Sequence, residues 1–293
     1  MIARKASFRT LDFVILILCI ALGIFTYYRI QYGLEYKGNW AVIPGFLIKQ
    51  DPATGRWVPN FLLEGLITTI KLSIWATLLA ILFGIIAALF RTGSNLFLRM
   101  VGRTYVELIR NLPALVLIFI FYFFVADPLM RMLGIYQFAE SMSENTSRVV
   151  SFLFAQKDLL TQFVSGVMTV AFFEGAYITE VFRAGIESIE RGQNEAAYSL
   201  GLSWVDKMRF VIMPQAIKRV LPPLANEFIN TVKYSSITSV VSIQELTYMG
   251  RTAVVATRYM FETWITVAIM YLALTLTLSF FAGYLERRLR QSD

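Results

Sequence analysis

Six stretches of this chain are long and largely apolar: about 12 to 29, 62 to 90, 111 to 126, 160 to 182, 220 to 242 and 262 to 284. A bilayer core of roughly 30 Å takes about 20 such residues in a helix, since no backbone polar group can be left without a partner in lipid. Hydrophobic residues make up 57% of the 293 and charged residues only 16%, so the surplus apolar surface must face something other than water. The pattern predicts an all-α integral membrane protein.

A net charge of +7 in a soluble protein would suggest a nucleic-acid partner. Here the basic residues sort by side of the membrane. With the N-terminus in the cytoplasm, sixteen Lys and Arg fall on cytoplasmic segments and nine outside, while Lys71 and Lys233 lie inside spans. The positive-inside rule accounts for the excess with both termini cytoplasmic, and no nucleic acid is needed. The chain has no histidine and one cysteine, Cys19. That removes His-based catalytic triads and the common zinc sites, so no metal and no catalytic residue is expected. Arg4, Lys5 and Arg9 before the first run resemble a signal-peptide start, but the run ends in Tyr27, Tyr28 and Arg29, as a retained interfacial anchor does.

Residues 1–60 therefore form an anchor followed by a Pro- and Gly-containing extracytoplasmic loop. Residues 61–285 form one domain of five spans without an internal repeat, and 286–293 a basic cytoplasmic tail. Within the domain, about 127–159 is a second extracytoplasmic insertion. Its Phe138, Met142, Val149, Phe152 and Leu153 are spaced as on an amphipathic surface helix.

Polar residues occur where lipid should be. In the fifth run Asn226, Glu227, Asn230, Lys233 and Tyr234 fall within about one third of a helical circumference, opposite Leu221, Leu224, Ala225, Phe228, Ile229 and Val232. Charges at such depth cost about 2.5–3.5 kcal/mol each on insertion scales. Two readings fit, a polar translocation pathway or a face that pairs with other spans or a second subunit. Asn230, Lys233 and Ser236 are the pathway candidates, with Glu174 of the fourth run. Glu180 and Arg183 have the i, i+3 spacing of a simple pair. Lys71, one third along its run, is open to snorkelling.

Between the fourth and fifth runs lies NEAAYSLGLSWVDKMRFVIMPQA, Asn194 to Ala216, rich in helix formers but too polar to span. Asn194 suits an N-cap and Gly201 a left-handed stop. Ser203 and Asp206 have capping-box spacing, and Pro214 should end the second helix near Met213. The result is a two-helix knob with Ala196, Ala197 and Leu200 as a small apolar patch, placed on the cytoplasmic side by its basic neighbours. It suits either a protein-docking surface or an interfacial linker.

Glu195, Ala196, Ala197, then Gly201, then a hydrophobic stretch ending in Pro214, resembles the EAA motif of permease subunits of binding-protein-dependent ABC importers. Thr68 and Thr69 with Leu72 and Ser73, YVELIRNLPALV from Tyr105, GAYITEVFRAGIESIERGQNEAA from Gly175, PQAIKRVLPPLANEFI from Pro214 and SSITSVVSIQELT from Ser235 are similar to its polar amino acid subfamily. Met213 replaces the usual leucine before the proline. The N-terminal span and the 127–159 insertion are additions to the usual five-span subunit.

The resemblance implies a type I ABC importer transmembrane domain, five core spans plus one N-terminal span, in a bacterial inner (plasma) membrane. Its implied partners are a dimer of ATP-binding subunits, a second permease subunit, identical or related, and an extracytoplasmic amino acid-binding protein. The segment of about 191–215 would couple to the ATPase through Glu195, Ala196, Ala197, Gly201 and Pro214. The chain has no G-x-x-x-x-G-K-[ST] loop, so no cofactor is expected in it, ATP and Mg being bound by the partner. A self-sufficient ion-driven carrier using Glu174, Glu227 and Lys233 lacks the inverted repeat such carriers often show. A membrane-embedded enzyme lacks an assembled acid or nucleophile site.

Overall fold

A computed structural model of the protein describes residues 10–33 and 38–290. The chain divides into two compact units, residues 1–42 and 43–293. The first is dominated by α1 (Thr10–Gly33), whose side chains from Leu11 to Arg29 are all exposed. An apolar helix that buries nothing within its own unit is an anchor in form. Arg4, Lys5 and Arg9 lie outside the described residues.

The second unit opens with α2 (Ile43–Leu47) and an antiparallel hairpin of β1 (Ile48–Gln50) and β2 (Trp57–Pro59), with Lys49 opposite Val58. Asp51 builds the turn. Its carboxylate accepts from the Thr54 hydroxyl at 2.6 Å and the Ala53 amide at 3.0 Å, and the Thr54 bond foremost holds its carboxyl below the usual range. The Asn60 amide donates to the Gly45 carbonyl at 2.7 Å, and α2 packs on the helix that follows. The domain boundary expected at residue 60 thus falls at residue 42, because this loop is bonded to the bundle.

The bundle then runs α3 (Phe61–Thr92), α4 (Leu96–Asn111), α5 (Ala114–Phe121), a π-turn at Tyr122–Ala126 and α6 (Asp127–Met132). Next come α7 (Ile135–Ser141), α8 (Glu144–Leu153) and α9 (Leu160–Glu187). After α9 follow α10 (Arg191–Ser199), α11 (Trp204–Lys207), a π-turn at Met208–Ile212 and α12 (Met213–Ser235). A 3-10 turn at Ser236–Val241 leads to α13 (Leu246–Thr257) and α14 (Met260–Arg290). The expected tail from residue 286 is, up to Arg290, a continuation of α14.

Among the described residues five helical stretches are long and apolar enough to span: Leu11–Arg29, Phe61–Thr92, Ala114–Met132, Lys157–Glu187 and Met260–Arg288. The third reaches past the expected residue 126, since Asp127 and Arg131 pair at i, i+4 and 3.0 Å and carry the helix on. The expected fifth core span, 220 to 242, is not among them. Pro222, Pro223 and the polar face depress its hydropathy, yet α12 takes that place, packed on α3, α9 and α14. Its 23 residues rise about 35 Å.

At the centre α3 and α9 run parallel. Leu72 meets Gly166, Ala80 meets Gly175 and Gly84 meets Ile178 along their length. Alanines such as Ala76, Ala80, Ala88, Ala171 and Ala176, all fully or almost fully buried, keep the axes close. In lipid such small-residue contact supplies the packing that hydrophobicity supplies in water. With α6 taken into the third spanning stretch, what is left of the expected surface insertion is α7 and α8 with the residues up to 159, and Phe138, Val149, Phe152 and Leu153 are exposed on it.

Lys71 does not snorkel. Its Nζ donates to the Ser151 carbonyl at 2.7 Å, and one turn later the Trp75 indole donates to the Leu153 carbonyl at 2.9 Å and stacks on Phe154. Both carbonyls belong to the last turn of α8, whose acceptors have no helical partner. Two α3 side chains therefore cap α8 and pin the insertion.

A Cβ on Gly84 would lie 2.5 Å from Ile178 Cγ2 and 3.2 Å from the Ile178 carbonyl carbon. Gly84→Leu should therefore lower the melting temperature of the detergent-solubilised protein, with a loss of about 1–3 kcal/mol or more. Gly23→Leu, where nothing lies within 4 Å, should leave the transition in place.

Candidate functional site

The knob is built as a rigid turn. α10 starts at Arg191 rather than after Asn194, because Glu190 supplies the extended residue before the first turn and Asn194 is already helical. Gly201 has φ +71°. Its amide donates to the Tyr198 carbonyl and the Leu202 amide to the Ala197 carbonyl, the paired bonds of a Schellman stop. Ser203 caps α11 as expected, accepting from the Asp206 amide at 3.2 Å and donating to the Asp206 carboxylate at 2.5 Å. Across the turn, Lys207 Nζ sits 4.9 Å from the Tyr198 ring centre, a cation–π contact between the two helices.

Two expectations are corrected. Ala197 is 2% exposed and faces inward, so the outer patch is made by Ala196 and Leu200 with Tyr198, Trp204 and Val205; Tyr198 and Leu200 are 72% and 78% exposed. The helix also does not end before Pro214. It passes through the π-turn into α12, with Pro214, which has no amide to donate back to the preceding turn, directly after the π-turn. Buried Ile189, Met208, Ile212 and Ala216 form one apolar cluster that seats the knob against the end of α9, and packing decides the backbone there.

Above the knob, α12 presents its polar face as a bonded ladder. Asn230 donates to the Glu227 carboxylate at 3.1 Å, Lys233 Nζ lies 3.5 Å from the Asn230 amide oxygen, and the Ser236 hydroxyl donates to the Lys233 carbonyl at 2.6 Å. Three of the four expected pathway residues thus follow one another at a spacing of three, Asn230 and Lys233 on α12 and Ser236 at the start of the turn after it, with Lys233 and Asn226 exposed. The fourth, Glu174, is set apart on α9. It is 0% exposed, and neither carboxylate oxygen has a hydrogen-bond partner among the described residues. An enclosed, unbonded carboxyl group is costly to bury, so this position is not explained by packing.

The ladder opens at its lower end into a cleft of about 460 Å³ between α4, α9 and α12, lined by Arg110, Tyr177, Glu180, Arg219 and Glu227 among others. Sequence reasoning missed Arg110, Tyr177 and Arg219. It foresaw the Glu180–Arg183 pair, at 2.8 Å, but not the rest of the cluster. Glu180 also pairs with Arg91 of α3 and lies 4.0 Å from Arg110 of α4, whose guanidinium is 5.7 Å from the Tyr177 ring centre. Arg219 donates to the Ser188 carbonyl. One carboxylate thus joins the ends of three helices beside the knob. Among the described residues no group of three or more acidic, His or Cys side chains is placed to hold a metal.

Residues 80–291 match the family model of the binding-protein-dependent transport system inner membrane component. The chain is 35% identical over 230 residues to the probable glutamine ABC transporter permease protein GlnM of Bacillus subtilis (strain 168), covering 78% of this chain and 94% of that protein. It is 32% identical over 229 residues to the glutamine transport system permease protein GlnP of Escherichia coli (strain K12), covering 78% and 93%. A crystal structure of an amino acid ABC transporter with histidines aligns with TM-score 0.61 and 35% identity over 78% of this chain and 94% of that one. An inward-facing methionine ABC transporter aligns with TM-score 0.60 at 16% identity, a likeness of fold alone. The chain belongs to the family of inner-membrane components of binding-protein-dependent ABC importers, with the type I transmembrane fold.

Proposed function

We propose that this permease passes polar amino acids along the Glu227–Asn230–Lys233–Ser236 face of α12, at the junction with a second permease subunit, identical or related. The observation that carries this is the bonded polar ladder on a helix held in the bundle and continuous with the knob. Relatives named as glutamine permeases support the substrate class. Glu174, buried without a hydrogen-bond partner, joins the pathway as a group left to meet a donor from the substrate or the opposing subunit. An extracytoplasmic amino acid-binding protein would deliver the substrate, and both termini lie in the cytoplasm on the charge distribution.

The energy enters at the knob. Glu195, Ala196, Gly201 and the exposed Tyr198, Leu200, Trp204 and Val205 form the surface that docks into a separate ATPase dimer, which binds ATP and Mg. Ala197 and Pro214 act from behind that surface, one by packing and one by starting α12. Closure of the ATPase would move the knob, and with it the helices joined to it, between inward-open and outward-open arrangements.

Gly201→Trp forces a side chain onto a left-handed residue and Glu195→Arg inverts a charge on the docking face. Each should leave membrane insertion intact while cutting the uptake obtained per ATP hydrolysed by about tenfold or more in proteoliposomes. Normal uptake by reconstituted Gly201→Trp would refute the docking role. Asn230→Leu should lower the maximal uptake rate by about tenfold without loss of assembly, since it removes the half-buried amide between Glu227 and Lys233. Unchanged kinetics would make that face a packing surface instead.

A further inference from the structure

The end of the bundle opposite the knob holds a second polar cavity that the transport pathway on α12 does not use. It has a volume of about 260 Å³ and lies between the first half of α3, the start of α9, the pinned end of the insertion and the residues before α13. Its polar lining includes Glu64 and Lys71 of α3, Gln162 of α9, Gln156 of the insertion and Gln244. Lys71 spends one of its three donors on Ser151. The half-buried side chains of Glu64 and Gln244 have no hydrogen-bond partner among the described residues, while Gln156 and Gln162 stand exposed at the rim.

A small cavity edged by convergent polar groups, with the half-buried Glu64 and Gln244 not bonded to one another or to Lys71, has the form of a ligand site. We infer that this cavity is an outer binding site for a free polar amino acid, occupied before transfer to the α12 face. The chemistry selects the class. A carboxylate and an ammonium on one helix face, two turns and about 10 Å apart, call for a ligand that carries both an ammonium and a carboxylate and reaches between them. The carboxamides supply donors and acceptors to a polar side chain. An inorganic ion would satisfy one end only. The cavity is also below the range of about 300–1,000 Å³ usual for drug-sized ligands, which suits an amino acid. Its roof is held by the bonds from Lys71 and Trp75 to the last turn of α8, so the insertion serves as the cover of the cavity.

This inference rests on the amino acid import reading, and the test separates the two. Radiolabelled L-glutamine is titrated by equilibrium dialysis onto the purified permease–ATPase complex without binding protein. Two sites per permease chain are expected. Glu64→Gln with Gln244→Leu should weaken one of them about tenfold and leave the other, the melting temperature and complex assembly unchanged. Asn230→Leu should act on the remaining site alone. A complex with one site per chain that only Asn230→Leu removes, or a cavity variant that binds as the parent does, overturns the outer site. Loss of binding in the cavity variant with none in Asn230→Leu upholds the outer site and refutes the α12 pathway instead.

Discussion

The close parallel approach of α3 and α9 sets the positions of nearly everything else. Helices drawn together by hydrogen bonds alone would gain little in lipid, so contact depends on how near the backbones can come. Gly84 against Ile178, and the alanines on both helices, bring two long apolar helices side by side. That contact aligns Lys71 and Trp75 with the insertion at one end and Arg91 with Glu180 at the other. Both ends of the bundle are thereby specified by one helix pair.

Within the bundle, polar chemistry is concentrated at those two ends and along α12, while the exposed side of α14 is largely apolar from Ile265 to Phe281. Where a polar group is buried in the interior it is usually answered. Glu245 accepts from the Thr247 and Tyr248 amides and the Tyr271 hydroxyl, which closes the break before α13, and Thr69 accepts from the Leu246 amide. Among the described residues, the buried hydroxyls of Ser73, Thr77 and Ser165 and the carboxyl group of Glu174 are without a partner, and of these the carboxyl group is the costliest to bury.

Features governed by neighbours in sequence were legible beforehand. The spans followed from hydropathy, the ladder on α12 from helical periodicity, and the Gly201 stop and Ser203 cap from local backbone chemistry. Features governed by distant partners were not. Nothing near Glu180 in sequence announces Arg91 or Arg110, and nothing near Lys71 announces a carbonyl 80 residues on. Pro214 misled for the same reason: the apolar cluster of Ile189, Met208, Ile212 and Ala216 holds the backbone helical where local preference alone would end it. Ala197 shares the small size of Ala196, and only the packing of α10 turns one inward and the other out.

The stretch from Met213 to Leu221 is the seated base of α12. It is bracketed by the π-turn at Met208–Ile212 and the Pro222–Pro223 pair, the two kinds of place where a helix bends with least resistance. Between them it is bolted to α9 by Ala216, Val220 and the Arg219 bond to Ser188. Whatever tilts this seated base also tilts the polar face above it, except for any bend taken up at the prolines.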